Sequence, residues 1–172
     1  MPLRLYRQVK IVLPPEAIKV EKTLRTFGMG KQVDQAITTM NHAAEDATKS
    51  AVDIFLTAIK SMSIEDAAGI LKGNQSAATD YLRTKTTSSL KESFHPIIKD
   101  ALEKTGATRY WETIFTNYNK VGKEKVNVDL PSYVTEKALA GIFSQIAEEE
   151  KKIRQDPKAR TTELLKKVFN SN

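Results

Sequence analysis

Apolar residues recur three and four positions apart along most of the chain, which is the spacing of one face of an α-helix. After Pro14, the residues Ala17, Val20, Leu24 and Phe27 keep this spacing. Pro15 and Glu16 suit a helix start, and Gly28-Met29-Gly30 suits its stop. From Lys31 a longer stripe of Val33, Ile37, Met40, Ala44, Ala47, Ala51, Phe55, Ala58 and Met62 predicts a central helix over about 31–62, bent near Lys49-Ser50. Its alanine-rich middle calls for the close approach of another helix, since small side chains permit short interaxial distances.

Ser63-Ile64-Glu65-Asp66 reads as a cap followed by first-turn acids, opening a short helix that ends at Gly73. A new start at Ser76 leads a stripe through Tyr81, Leu82, Leu90, Phe94, Ile97, Ile98 and Leu102 to a stop at Gly106, with Pro96 predicting a kink or break at about residue 95. Thr108 to Tyr118 forms another helix, and residues 122–131 form a polar loop. Ser132 then caps a second long helix, 132–156, whose stripe is Leu139, Ile142, Phe143, Ile146 and Ile153. Residues 161–169, TTELLKKVF, read as a C-terminal amphipathic helix that could dock on the body, a partner or an anionic membrane; residues 1–13 read as extended. The predicted fold is all-α: a single-domain orthogonal or irregular bundle of six to eight helices with two long central ones.

Composition narrows the class. A chain of 172 residues with 40% hydrophobic and 28% charged residues, 7 Gly and 6 Pro is a globular, helix-rich domain rather than a disordered one. No apolar run approaches the ~18 residues of a membrane span, and the start, with Arg4, Arg7 and Lys10, does not read as a signal peptide. The absence of cysteine excludes disulfides, thiolate catalysis and thiolate-bound zinc. The net charge of +6 is concentrated at the ends: residues 1–31 carry seven Lys or Arg against two Glu, and residues 151–172 carry seven against Asp156 and Glu163. Such termini suit a solvated surface or a phosphate-rich one.

Few residues carry candidate chemistry. His42 and Glu45 share a helix face, but no second His-x-x-Glu pair completes a di-iron set, and His95 has nothing at ligand spacing. No glycine elbow surrounds a serine and no glycine loop cradles phosphate. Tyr110, Trp111 and Tyr118 could stack on bases, although aromatics at helical spacing usually fill cores. No catalytic residue, metal site or cofactor is assigned.

One acid stands out. Glu149 lies three residues after Ile146 and four before Ile153, on the apolar stripe, whereas Glu148 and Glu150 have Lys152 and Arg154 four residues on. An inward Glu149 needs a cation from another helix, and Arg25 is the expected partner.

The stretches FGMGKQVDQ, MNHAAEDA, IFLTAIKSMSIEDAAGIL, AATDYLRTKT, YVTEKALAGIF, IAEEEKKIRQDP and LLKKVF, in this order and spacing, resemble the bacterial family known as domain of unknown function 4197, from about Val12 to Phe169. The resemblance implies an all-helical fold with no established activity, and a location in the periplasm or cell envelope. Members usually begin with a secretion or lipoprotein signal and a further helical segment, so this chain is expected to be a mature-region fragment or a late start. The family commonly has MNRAAE where His42 stands here, which further weakens a metal role for His42.

Three functions follow as expectations. The first is a non-enzymatic helical envelope protein that binds a macromolecular partner or a small apolar ligand between its helices. The second is an enzyme with a carboxylate-lined site built from Asn41, Glu45, Glu136 and Glu149 on two facing helices; with Arg25 these are also the candidate ligand-binding residues. The third is binding to nucleic acid or another anionic surface through the basic termini.

Overall fold

A computed structural model describes residues 10–122 and 125–156. The described residues are helical and contain no strand. In chain order the helices are α1 (Pro15–Thr26), α2 (Gly30–Thr48), α3 (Ala51–Lys60), α4 (Ile64–Lys72), α5 (Ala77–Lys104), α6 (Ala107–Val121) and α7 (Leu130–Gln155). The predicted helix 161–169 and most of the predicted extended segment 1–13 lie outside the described residues.

The boundaries follow local chemistry. α1 starts on Pro15 and ends in a Schellman motif: Gly28 takes a left-handed φ of 80°, the Met29 amide donates to the Leu24 carbonyl (2.9 Å), and the Gly28 amide donates to Arg25 (3.1 Å). α4 opens with a capping box in which Ser63 and Asp66 each accept the other's backbone N–H. α7 starts at Leu130 rather than at Ser132. Its cap is Asp129, which accepts from the Ser132 amide (3.0 Å) and hydroxyl (2.7 Å), bonds that hold its carboxyl below the ordinary value.

Two expectations about long helices are corrected. The predicted helix 31–62 is two helices, α2 and α3, separated at Lys49-Ser50 by a turn in which amides bond three residues back, Lys49 to Asp46 and Ser50 to Ala47. Hydroxyls hold the turn: Thr48 donates to the Glu45 carbonyl at 2.7 Å, Ser50 donates to Ala47 at 2.8 Å, and Ser50 meets Ser93 of α5 at 2.7 Å. Conversely, the helix expected to kink or break near residue 95 runs unbroken as α5 through Pro96, and with 28 residues it is the longest, beside the 26 of α7. An interior proline costs about 3 kcal/mol, but Pro96 faces solvent while Leu90, Phe94, Ile98 and Leu102 repeat every four residues at 0% exposure. Burying side chains of this size contributes about 2 kcal/mol each, enough to outweigh the proline.

α5 is therefore the axis, packed against α7, α2, α3 and α6 around one core. Met40, Ala43 and Ala47 of α2 and Val134 of α7 complete its centre. At one end the Trp111 indole donates to the Asn127 carbonyl (2.8 Å) and stacks on Tyr133, tying α6, the loop and α7 together. α3 leaves Val52, Leu56 and Ile59 on its outer face.

Candidate functional site

α1 lies against α2. On the side toward α6, that arrangement leaves a cleft of about 370 Å³ bounded by α1, α2, α6 and the adjoining ends of α5 and α7. Its wall is mainly apolar, with Leu24 of α1, Met29 at the turn, Val33 and Met40 of α2, and Trp111 and Ile114 of α6. Polar groups are few: Gln32, Gln35, Thr39 and Thr105 supply amides and hydroxyls, and Glu21 a carboxylate. The volume and the sparse polar lining match a small-ligand site of the lower size range.

A second, open groove of about 960 Å³ lies on the other flank of α1 and α2, lined by Lys10, Arg25, Asp34, Asn41 and His42 among others. Glu21 lines both cavities. In the open groove Arg25 donates to Asp34 at 2.6 Å and to Glu21 at 2.9 Å. The bond from Arg25 holds the Asp34 carboxyl below its ordinary value, and the same two acids raise Arg25. A third cleft, about 100 Å³ between α2 and α7, is lined by Asn41, Glu45, Lys137 and Gln145 among others; the buried Oε1 of Gln145 has no hydrogen-bond partner among the described residues.

Of the residues expected to form a carboxylate site, Asn41 and Glu45 share the small cleft between α2 and α7, and Glu136 and Glu149 do not line it. Asn41 is committed to the backbone: its Oδ1 accepts from the Ile11 amide (2.8 Å), and its Nδ2 donates to the Ile11 (3.0 Å) and Ile37 (2.8 Å) carbonyls, clamping the chain ahead of α1 onto α2. Glu45 is exposed at the rim of the small cleft. Glu136 and Glu149, both exposed, are thirteen residues apart on α7, about 20 Å at 1.5 Å per residue. Arg25 shares a cavity with Asn41 alone among the candidates. No group of three or more His, Asp or Glu side chains assembles at metal-ligand spacing among the described residues.

The inward glutamate is Glu150, not Glu149. Glu149 is exposed and pairs with Lys152 at 2.6 Å, and Arg25 is engaged at the other groove. Glu150 is 8% exposed, and its carboxylate reaches the start of α5. Oε1 accepts from the Ala78 amide (2.9 Å) and Arg154 Nε (2.9 Å); Oε2 accepts from the Thr79 amide (2.8 Å) and hydroxyl (2.7 Å). Burial alone would push this carboxyl up, and these hydrogen bonds outweigh it, leaving Glu150 below its ordinary value. Arg154 continues to the Ile70 carbonyl at 2.7 Å, so α4, α5 and α7 meet at one buried pair. Ser76, the N-cap position of α5, makes no side-chain cap bond to α5, and its hydroxyl donates to Asn74 and Asp80 instead. A residue 72 positions away supplies the missing cap.

The cleft residues were not selected by sequence reasoning, apart from Tyr110 and Trp111, which drew attention as aromatics. Their signal is weak because a cleft wall and a core share one apolar pattern. The fold and the ordered sequence blocks together point to one family: that described as "Protein of unknown function (DUF4197)" matches residues 6–170, nearly the whole chain. The chain belongs to the DUF4197 family. No curated protein and no solved structure matches it. In this DUF4197 protein no helix of the described residues is long and apolar enough to cross a membrane.

Proposed function

We propose that this DUF4197 protein is a non-enzymatic helical binding protein whose cleft between α1, α2 and α6 holds the apolar part of a small ligand. The observation that carries the reading is the cleft itself, about 370 Å³ of mainly apolar wall with scattered amides and hydroxyls. The carboxylate-site alternative has less support, since Asn41 is spent on the backbone and Glu45, Glu136 and Glu149 sit at separate surface positions. The test uses the chain's one tryptophan, Trp111, which lines the cleft. Titration with 1-N-phenylnaphthylamine, a neutral apolar probe, should quench Trp111 by energy transfer and saturate at one probe per chain. The Ala36→Phe variant, which adds a ring to the α2 wall, should weaken that binding about tenfold, by filling the space rather than unfolding the protein. Equal binding by Ala36→Phe would place the probe elsewhere and refute the reading. We further place this binding in the periplasm or envelope, supported by the resemblance to secreted family members; recovery of the protein in the cytoplasmic fraction of its own host would remove that part.

A further inference from the structure

We infer that the cleft selects single-chain amphiphiles whose head group carries N–H or O–H donors and no negative charge, an inference that rests on the cleft being a ligand site. The chain as a whole is +6, yet no Lys, Arg or His is among the described residues lining the cleft, and Glu21 is its one carboxylate. Glu21 sits on the ridge between the two cavities with its side chain 21% exposed. Its Oε1 accepts from Arg25, and its Oε2 has no hydrogen-bond partner among the described residues, leaving an acceptor for a ligand's donor. Arg25, the nearest guanidinium, lines the open groove instead, held there by Asp34 and Glu21. Two carboxylates thus face one guanidinium, and the remaining cation of that group, Lys10, also lies in the open groove. An anionic head in the apolar cleft would be desolvated without a counter-ion and beside a like charge; an ammonium or hydroxyl head meets acceptors from Glu21, Gln32, Gln35 and Thr39.

Three probes with one tail separate the possibilities: dodecylamine, dodecanol and dodecanoate, titrated at neutral pH below their aggregation concentrations and read by Trp111 emission. The amine and the alcohol should bind at least about tenfold more tightly than dodecanoate, because only the acid brings an uncompensated negative charge. The amine should also bind more tightly than the alcohol, because only the ammonium meets the Glu21 carboxylate as an opposite charge, and Glu21→Gln should remove that difference while Arg25 keeps Asp34, so the local fold stays anchored. Dodecanoate binding as tightly as the alcohol, or an amine preference that survives Glu21→Gln, would overturn the charge selection and leave the cleft as a ligand site. No response to any of the three would mean that the chain itself or a second copy fills the cleft, and the binding reading would fall together with this inference.

Discussion

Glu150→Gln removes one acceptor oxygen from a carboxylate that receives four hydrogen bonds at 2.7 to 2.9 Å, while conserving shape. Whichever way the new amide turns, its NH₂ faces an N–H of the first turn of α5, either Ala78 or Thr79, and that buried donor loses its acceptor. Such a loss costs about 1–3 kcal/mol. The Arg154 guanidinium, 12% exposed, also loses its counter-charge, although the Ile70 carbonyl still accepts from it. Breaking a buried pair costs about 3–5 kcal/mol when the orphaned charge has no other partner, so a total of about 3 kcal/mol is expected here. Against an ordinary stability of about 5–15 kcal/mol this is a large fraction, readable by urea denaturation followed by circular dichroism. Glu149→Gln is the control: its pair with Lys152 is more than half exposed on both sides, so solvent screens it and the denaturation midpoint should stay essentially unchanged. The sign with pH follows from the depressed carboxyl. The Glu150 contribution is complete above the unfolded glutamate value and is lost as pH falls through the lower folded value. The gap between wild type and Glu150→Gln should therefore narrow on acidification. Equal losses at the two positions, or a gap that widens in acid, would refute the capping account.

Two further outcomes follow from the same geometry. Asn41→Ala removes the two hydrogen bonds that hold the chain at Ile11 to α2, along with a third that Asn41 makes to Ile37 within α2; it should cost about 1–3 kcal/mol and speed hydrogen exchange at the Ile11 amide more than at core amides of α5. Gly28→Ala meets no atom within 4 Å but must adopt a φ of 80°, so a loss of about 1 kcal/mol in denaturant midpoint measurements is expected from backbone strain alone.

The helices and most of their ends were legible in the chain, because periodicity, proline, glycine and capping residues act within a few positions of one another. α4 between Ser63 and Gly73 and the stop at Gly28 needed no distant partner. Where competing local signals were weighed by packing, the chain alone misled. Pro96 marks a kink or a break, but four fully buried side chains keep α5 continuous across it; the stripe over 31–62 marks one helix bent near Lys49-Ser50, but hydroxyls at Thr48 and Ser50 divide it there against Ser93. The glutamates show the limit most clearly. Ile146 and Ile153 are seven residues apart, so a helix places both Glu149 and Glu150 between them, three or four residues from each. Choosing between them required knowing that the uncapped amides of Ala78 and Thr79, more than seventy residues away, arrive beside Glu150. The cleft has the same origin: Met29, Val33, Trp111 and Ile114 carry the pattern of any buried face, and only the separation of α1 and α6 over α2 leaves space between them. Local spacing fixes which residues turn from water; the meeting of distant elements decides whether they find a neighbour, a charge or a cavity.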